Sequence, residues 1–173
     1  QEMSYASAGV GSGGHLTMAY FGSVIEAKFL HVPFSGGAPA MQALIGEQVE
    51  SAFVLLPTAL PHIKSGKLRA LAVSGLQRAQ TLPEVPTADE SGYRGFEVQV
   101  AYLLMAPAKT PVAVVDTWTK AIDRTLGDKE LQKRFTDMGM EPRFMDAHAT
   151  GNWLLRERKR WESLMQKHGI QAN

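Results

Sequence analysis

The sequence of 173 residues contains no cysteine. This absence excludes disulfide bonds, cysteine-ligated metals and thiol chemistry. The sequence also lacks an apolar run of membrane-spanning length, and its start shows neither the basic residues nor the apolar stretch of a signal peptide. We therefore expect either a cytoplasmic protein or a processed or truncated piece. The sequence has no large excess of charge of one sign, since 18 basic and 17 acidic residues give a net charge of +1. This balance disfavours nucleic acid as a partner.

Strand and helix patterns alternate along the first part of the chain. Hydrophobic residues make up 45% and charged residues 20%, a balance typical of a globular domain. Strands are predicted at residues 4–7, 28–32, 49–55 and 68–74, and helices at residues 15–22, 37–46 and 57–66. The short connections between them favour a βαβ architecture with right-handed crossovers. The nearly continuous apolar run at the fourth strand is typical of a strand buried on both faces of a parallel sheet.

The pattern changes near Phe96. Just before it we predict a capped single turn, in which Glu90 lies three positions after Thr87. After it we expect an extended segment at residues 96–106, helices at residues 110–126, 128–138 and 146–168, and a short strand at residues 141–144. The extended segment is long enough to bridge two lobes, so a domain boundary is predicted between residues 1–96 and residues 97–173.

A glycine-rich loop follows the first strand and opens the first helix. Residues 7–15 have the sequence Ser-Ala-Gly-Val-Gly-Ser-Gly-Gly-His. Glycines let a ligand approach the backbone N–H groups, and a helix N-terminus adds unpaired donors and partial positive charge. These features predict an anion site at the carboxyl ends of the strands, where open α/β sheets usually bind ligands. The alternative is a tight turn that packs a helix on a sheet without any ligand.

Part of this loop matches a dinucleotide-binding fingerprint. Gly9, Gly11 and Gly14 fit the pattern G-x-G-x-x-G. That pattern needs an acidic residue at the end of the second strand, and residues 31–35 have the sequence His-Val-Pro-Phe-Ser, which lacks one. A second loop of small residues, 33–39, follows the second strand and also leads into a helix. We expect the two loops side by side, and together they favour a compact anion such as a carboxylate over a nucleotide.

Catalytic and metal-binding patterns are not found in the sequence. The histidines show no metal-ligand spacing; they are His15, His31, His62, His148 and His168. Ser12 lies between glycines, but Val10 breaks the G-x-S-x-G nucleophile elbow. His15 at the helix start could meet an anion, and the alternative is an ordinary surface histidine. We therefore predict no enzyme activity, no metal and no cofactor.

Several segments resemble the motifs of one known family. Residues 5–16, YASAGVGSGGHL, resemble the family's tyaSaGvGSggHL, and residues 31–40, HVPFSGGAPA, resemble its hVPYkGgaPA. Residues 65–73, 78–92, 106–111 and 138–142 resemble sGklraLAV, R…lPdvPT…EaG, aPagTP and lGaeP. The family is that of the solute receptors of tripartite tricarboxylate transporters, also called Bordetella uptake gene receptors. The resemblance covers almost the whole chain, with the motifs in the same order.

The resemblance implies a type II periplasmic binding protein fold with two α/β lobes and a cleft. This chain would hold the second, ligand-binding lobe and the C-terminal part of the first. It implies a periplasmic protein that delivers a small carboxylate to the membrane components of a tripartite tricarboxylate transporter. In the family, a loop from each lobe holds one ligand carboxylate. By resemblance the ligand-binding residues here are Ser7, Gly9, Val10, Gly11 and Ser12 in the first loop, with His15 beside it, and Phe34, Gly36 and Ala38 in the second.

The chain departs from the family pattern in several places. Family members are longer, and the glycine loop of their first lobe has no counterpart here. We therefore expect an N-terminally truncated chain with half of the carboxylate clamp missing. Phe34 replaces a frequent tyrosine, and Val54 replaces a frequent aspartate, which indicates a more apolar ligand. These changes leave open a ligand-free structural or signalling paralogue, and a nucleotide-dependent enzyme is the remaining alternative.

Overall fold

A computed structural model describes residues 2–170 as an α/β fold with a three-stranded parallel sheet. The strands are β1 (Met3–Ser7), β2 (Phe29–Pro33) and β3 (Ser51–Ala52), and they lie in the order β2-β1-β3. Each strand is followed by a helix, and these are α1 (Gly13–Val24), α2 (Gly37–Ile45) and α3 (Leu56–Lys64). The alternation confirms the predicted βαβ architecture of this part of the chain.

The pairing of the central strand β1 with β2 determines where the loops after these two strands begin. Its parallel register with β2 runs from Met3 opposite Phe29 to Ser7 opposite Pro33. Since the last residues of the two strands are paired with each other, the loops that follow them begin side by side. Tyr5 and Ser7 point to one face of the sheet, whereas the residue between them, Ala6, points to the other.

Two of the apolar clusters hold α1 and α2 in place. On one face, Ala6 is fully buried against the small residues Ala40 and Ala43 of α2, which let the helix approach the strand closely. The other cluster centres on Phe96, which is 1% exposed and stacks on Tyr20 of α1 with ring centroids 4.9 Å apart. The first helix is thereby anchored to a residue far along the chain.

The C-terminal part contains three helices, α4 (Val112–Leu126), α5 (Lys129–Asp137) and α6 (Ala147–His168). The end of α6 packs back on α1, where Trp161 and Leu164 join the cluster around Phe96. In addition, the Oγ atom of Ser23 lies 2.5 Å from Nδ1 of His168. These contacts cross the predicted boundary after residue 96, which stays a prediction. Among residues 2–170, no helix combines the length and apolar character that a membrane crossing requires.

Three predicted strands differ from the structure. Residues 68–74 form only an isolated bridge between Val73 and Thr87, and no strand within residues 2–170 pairs with this segment. Leu71 is 72% exposed, so the expected burial on both faces of a sheet is wrong. The third strand is confined to Ser51–Ala52, and residues 141–144 form none. The predicted helices are all found, and both ends of each lie within two residues of the predicted ends. The predicted capped turn is confirmed by reciprocal hydrogen bonds between Thr87 and Glu90, of 2.8 and 3.0 Å.

Candidate anion-binding site

The loops after β1 and β2 meet at the carboxyl edge of the sheet. The backbone N–H of Phe34 donates to the carbonyl oxygen of Ser7 at 3.0 Å. A Cβ atom on Gly9 would lie 3.5 Å from the carbonyl oxygen of Phe34. The structure therefore brings together the two loops that the sequence predicted to be neighbours.

Glycine is required at several positions of these loops for different reasons. Gly9 has a φ of 119°, Gly11 of 76° and Gly36 of 151°, and residues with side chains rarely adopt such values. Gly14 has an ordinary helical conformation, but a Cβ there would lie only 2.6 Å from the carbonyl oxygen of Phe53. The glycines thus fix the path of the loop and allow α1 to sit directly against the segment after β3.

The first turn of α1 carries donors that an anion could use. Ser12 is the N-cap, and its Oγ atom accepts from the N–H of His15 at 3.4 Å. No hydrogen bond within residues 2–170 uses the N–H of Gly13 or Gly14, as expected for the first positions of a helix. The aligned peptide dipoles add partial positive charge at this end. The turn can therefore hold a compact anion.

Two imidazole rings contact the glycine-rich loop. The ring of His15 stacks on that of His31, with centroids 4.2 Å apart and planes inclined by 16°. His31 in turn stacks on Tyr5 at 4.8 Å, so that three rings form a column. Nδ1 of His15 accepts from the N–H of Gly11 at 3.1 Å, and Nε2 of His31 lies 2.6 Å from Oγ of Ser7. Each imidazole is thereby tied to a different residue of the glycine-rich loop.

The surroundings of these rings favour their neutral forms. Burial lowers the pKa of His15. Burial also lowers the pKa of His31, and the nearby charge of His15 lowers it further. Burial raises the pKa of Tyr5, which therefore stays un-ionised at neutral pH. Since the ordinary pKa of histidine is about 6.5, both imidazoles are mostly neutral at pH 7.

Exposed apolar side chains belong to the segments that meet the start of α1. Val10 is 50% exposed in the loop itself, and Val54, which follows Phe53, is 38% exposed. Phe34 is half-buried, whereas Gly36 caps α2 without a side-chain hydrogen bond and Ala38 is exposed in the first turn of that helix. The predicted site residues therefore lie along one edge of the sheet. They provide backbone donors and apolar walls, and among residues 2–170 no cluster of metal-ligating side chains is found.

Two residues near this edge were not predicted from the sequence. His31 is not among the predicted ligand-binding residues, yet its register opposite Tyr5 places its ring in the column. Val100 comes from the extended segment after Phe96, and its Cγ2 atom lies 3.8 Å from where a Cβ on Gly13 would be. The position of His31 follows from the strand register, whereas no local sequence signal places Val100 beside the first turn of α1.

Comparison with known proteins identifies the family. The family model described as "Tripartite tricarboxylate transporter family receptor" matches residues 1–170. Protein BugT of Bordetella pertussis (strain Tohama I) is 30% identical over 168 residues, which cover 97% of this chain and 52% of that protein. A UPF0065 protein of Pseudomonas knackmussii is 31% identical over 167 residues, 96% of this chain and 99% of that protein. The chain spans about half the length of the other curated relatives that it matches over nearly its full length.

Solved structures show the same fold. The structure "R. palustris Rpa4515 with adipate" has a TM-score of 0.93 at 27% identity and covers 98% of this chain and 56% of that one. MatC (Rpa3494) from Rhodopseudomonas palustris with bound malate has a TM-score of 0.85 at 31% identity, over 94% and 56% of the two chains. The periplasmic binding protein BugD has a TM-score of 0.89 at 36% identity, over 98% and 57%. The fold is therefore that of a periplasmic binding protein, and the chain belongs to the tripartite tricarboxylate transporter receptor family.

Proposed function

We propose that this protein is part of a periplasmic receptor that binds a small organic carboxylate for a tripartite tricarboxylate transporter. One observation carries the proposal: the free N–H groups of Gly13 and Gly14 lie at the meeting point of two glycine-containing loops. A carboxylate is a compact anion that suits such donors at a helix N-terminus. Adipate and malate in the two related structures support the same ligand class.

The ligand would lie with one carboxylate on the first turn of α1. Its remaining atoms would contact Val10 and Val54, whose side chains are 50% and 38% exposed. Apolar contact of this kind favours an aliphatic or aromatic acid over an amino acid, because an ammonium group loses hydration beside an apolar side chain. The periplasmic location and the transporter as partner are proposed from the family and from the periplasmic binding proteins of the same fold.

The proposal predicts weak binding by these 173 residues. The hydrogen-bond donors contact a ligand from one side only, so much of the ligand stays in water. We therefore expect a dissociation constant near 1 mM, which corresponds to a binding free energy of about 4 kcal/mol. Adipate at about ten times that concentration should stabilise the fold by about 1.4 kcal/mol, which raises the melting temperature by a few degrees. Amide chemical shifts of residues 9–14 should move in the same titration.

A pair of matched variants separates binding from strain. Gly11 and Gly66 have φ values of 76° and 73°, so alanine imposes similar backbone strain at both. Gly66→Ala should lower the melting temperature and keep the adipate-induced shift, whereas Gly11→Ala should lose that shift. If adipate, malate and aromatic acids all leave the melting temperature and the loop amides unchanged, a ligand-free paralogue becomes the better description.

A further inference from the structure

The segment that begins at Phe96 carries a row of apolar side chains from the core toward the surface. Phe96 and Val98 are buried, whereas Glu97 and Gln99 are more exposed, an alternation typical of an extended chain. Val100 is the next residue of the buried row, and it is 56% exposed. The row therefore ends in an apolar side chain that is in contact with solvent.

This row runs along α1 toward the N-terminus of the helix. Phe96 stacks on Tyr20, and Cγ2 of Val100 lies 3.8 Å from where a Cβ on Gly13 would be. The helix between these two contacts spans about 10 Å, and the extended chain between them spans about 13 Å. The two lengths are similar, so an extended chain anchored at Phe96 reaches the first turn of α1 with Val100.

Hydrogen bonds fix the segment just before Val100. The N–H of Val98 donates to the carbonyl oxygen of Ser74 at 2.9 Å, and the hydroxyl of Ser74 donates back to the carbonyl oxygen of Val98 at 2.8 Å. The guanidinium of Arg160 donates to the carbonyl oxygen of Glu97. Within residues 2–170, no hydrogen bond uses the backbone of residues 99–106. Val100 therefore lies two positions beyond a fixed point, with its side chain beside α1.

The position of Val100 is within reach of a ligand bound at this turn. A Cβ atom lies about 2.5 Å from its own nitrogen, so Cγ2 of Val100 is at most about 6 Å from the N–H donor of Gly13. A carboxylate oxygen on that donor would be about 3 Å from the nitrogen. The carbon next to the carboxylate can then contact Val100. The neighbouring Gln99 side chain donates to Glu97 at 3.0 Å instead.

We propose that Val100 is a specificity-determining residue of the carboxylate site. Its side chain forms an apolar wall beside the Gly13 donor and favours an acid with a methylene next to its carboxylate over one with a hydroxyl there, because a hydroxyl against the methyl groups loses hydrogen bonds to water. This role rests on the proposed function. It adds to Val10 and Val54 a contact from beyond the predicted boundary after residue 96.

Succinate and tartrate test this role, because they differ only in a hydroxyl on each inner carbon. Titrations followed by amide chemical shifts should show tighter binding of succinate than of tartrate by the native chain. Val100→Thr replaces one methyl group by a hydroxyl and should lower the ratio of the two affinities about two- to fivefold. Val112→Thr, at the start of α4 and 74% exposed, is the matched control and should leave the ratio unchanged.

A carboxylate at position 100 provides a second test that starts without ligand. In Val100→Asp, the new carboxylate should lie near the N–H groups of Gly13 and Gly14, so their amide resonances should titrate with it, at a midpoint below the ordinary aspartate pKa of about 3.9. At pH 7 this variant should lose most of its affinity for succinate, whereas the neutral Val100→Asn should lose less. Val112→Asp adds the same charge at the start of another helix and should change neither the Gly13 amide nor the affinity.

The outcomes separate the role of Val100 from the proposed function. If succinate binds but Val100→Thr changes the ratio no more than Val112→Thr does, Val100 does not determine specificity, and carboxylate binding stands. Equal succinate affinity of Val100→Asp and Val100→Asn would overturn the role in the same way. If the native chain binds neither succinate nor adipate, the proposed function fails and the role of Val100 fails with it.

Discussion

Replacing Gly14 by alanine should destabilise the protein, although alanine is the better helix former. Gly14 is the second residue of α1, and its added Cβ would lie 2.6 Å from the carbonyl oxygen of Phe53. Observed Cβ contacts are essentially never shorter than 3.0 Å, and the clashing atom belongs to the backbone, which cannot rotate away. Either α1 or the segment after β3 must move by a few tenths of an ångström.

The expected magnitude follows from two opposing effects. Alanine gains up to about 1 kcal/mol over glycine in a helix, partly because it restricts the unfolded chain. Overpacking costs about 1–3 kcal/mol. The net loss should be about 1–2 kcal/mol, which for a chain of this length lowers the melting temperature by about 3–6 °C.

Gly13→Ala is the control for this experiment. It lies in the same turn, and its nearest neighbour would be Cγ2 of Val100 at 3.8 Å, an ordinary contact. Thermal unfolding followed by circular dichroism should therefore show Gly13→Ala at or slightly above the native melting temperature and Gly14→Ala below it. Equal stability of the two variants, or the reverse order, would refute the close approach of α1 to Phe53.

Three further predictions concern the core, a carboxylate and the C-terminal helix. Phe96→Ala should cost about 3–5 kcal/mol in urea denaturation, because the ring is 1% exposed and joins α1 to α6; a loss under about 1 kcal/mol would contradict this. The N–H of Thr87 lowers the pKa of Glu90 below its ordinary value of 4.5, so this carboxylate stabilises the fold above that value and the effect disappears as the pH falls through the lowered pKa. Glu90→Gln should accordingly lower the melting temperature at pH 7 and flatten its decline in acid, and parallel curves would argue against it. Ser23→Ala should cost about 1 kcal/mol through loss of the bond to His168, and unchanged stability would show that this bond contributes nothing.

Local chemistry was sufficient to predict the alternation of the first strands and helices. Glycines and prolines mark the ends of these elements, and periodicity distinguishes the helices. The capped turn was predicted for the same reason, because Thr87 and Glu90 lie only three positions apart and satisfy each other. Such features depend on a few neighbouring residues, so the sequence carries them directly.

Pairing between segments that are far apart in the sequence could not be predicted from local chemistry. The apolar run at residues 68–74 has the composition of a buried strand, yet Leu71 is 72% exposed and only Val73 forms a bridge. A strand is stable only when its N–H and carbonyl groups find a neighbour, and composition does not supply that neighbour. The place of Val100 beside α1 likewise depends on the path of a segment without regular structure.

The sequence predicted the loops of the candidate site but not the imidazole rings that contact them. The alternation of side chains along β1 explains this difference. Tyr5 and Ser7 share one face of the strand, and His31 lies on that face because it pairs with Tyr5. Ala6 faces the other way, beneath α2. One face of a five-residue strand therefore anchors a helix and the other carries the imidazoles that hold the glycine-rich loop. Substitutions on the Ala6 face should thus change stability first, whereas substitutions at His15 and His31 should change the loop first.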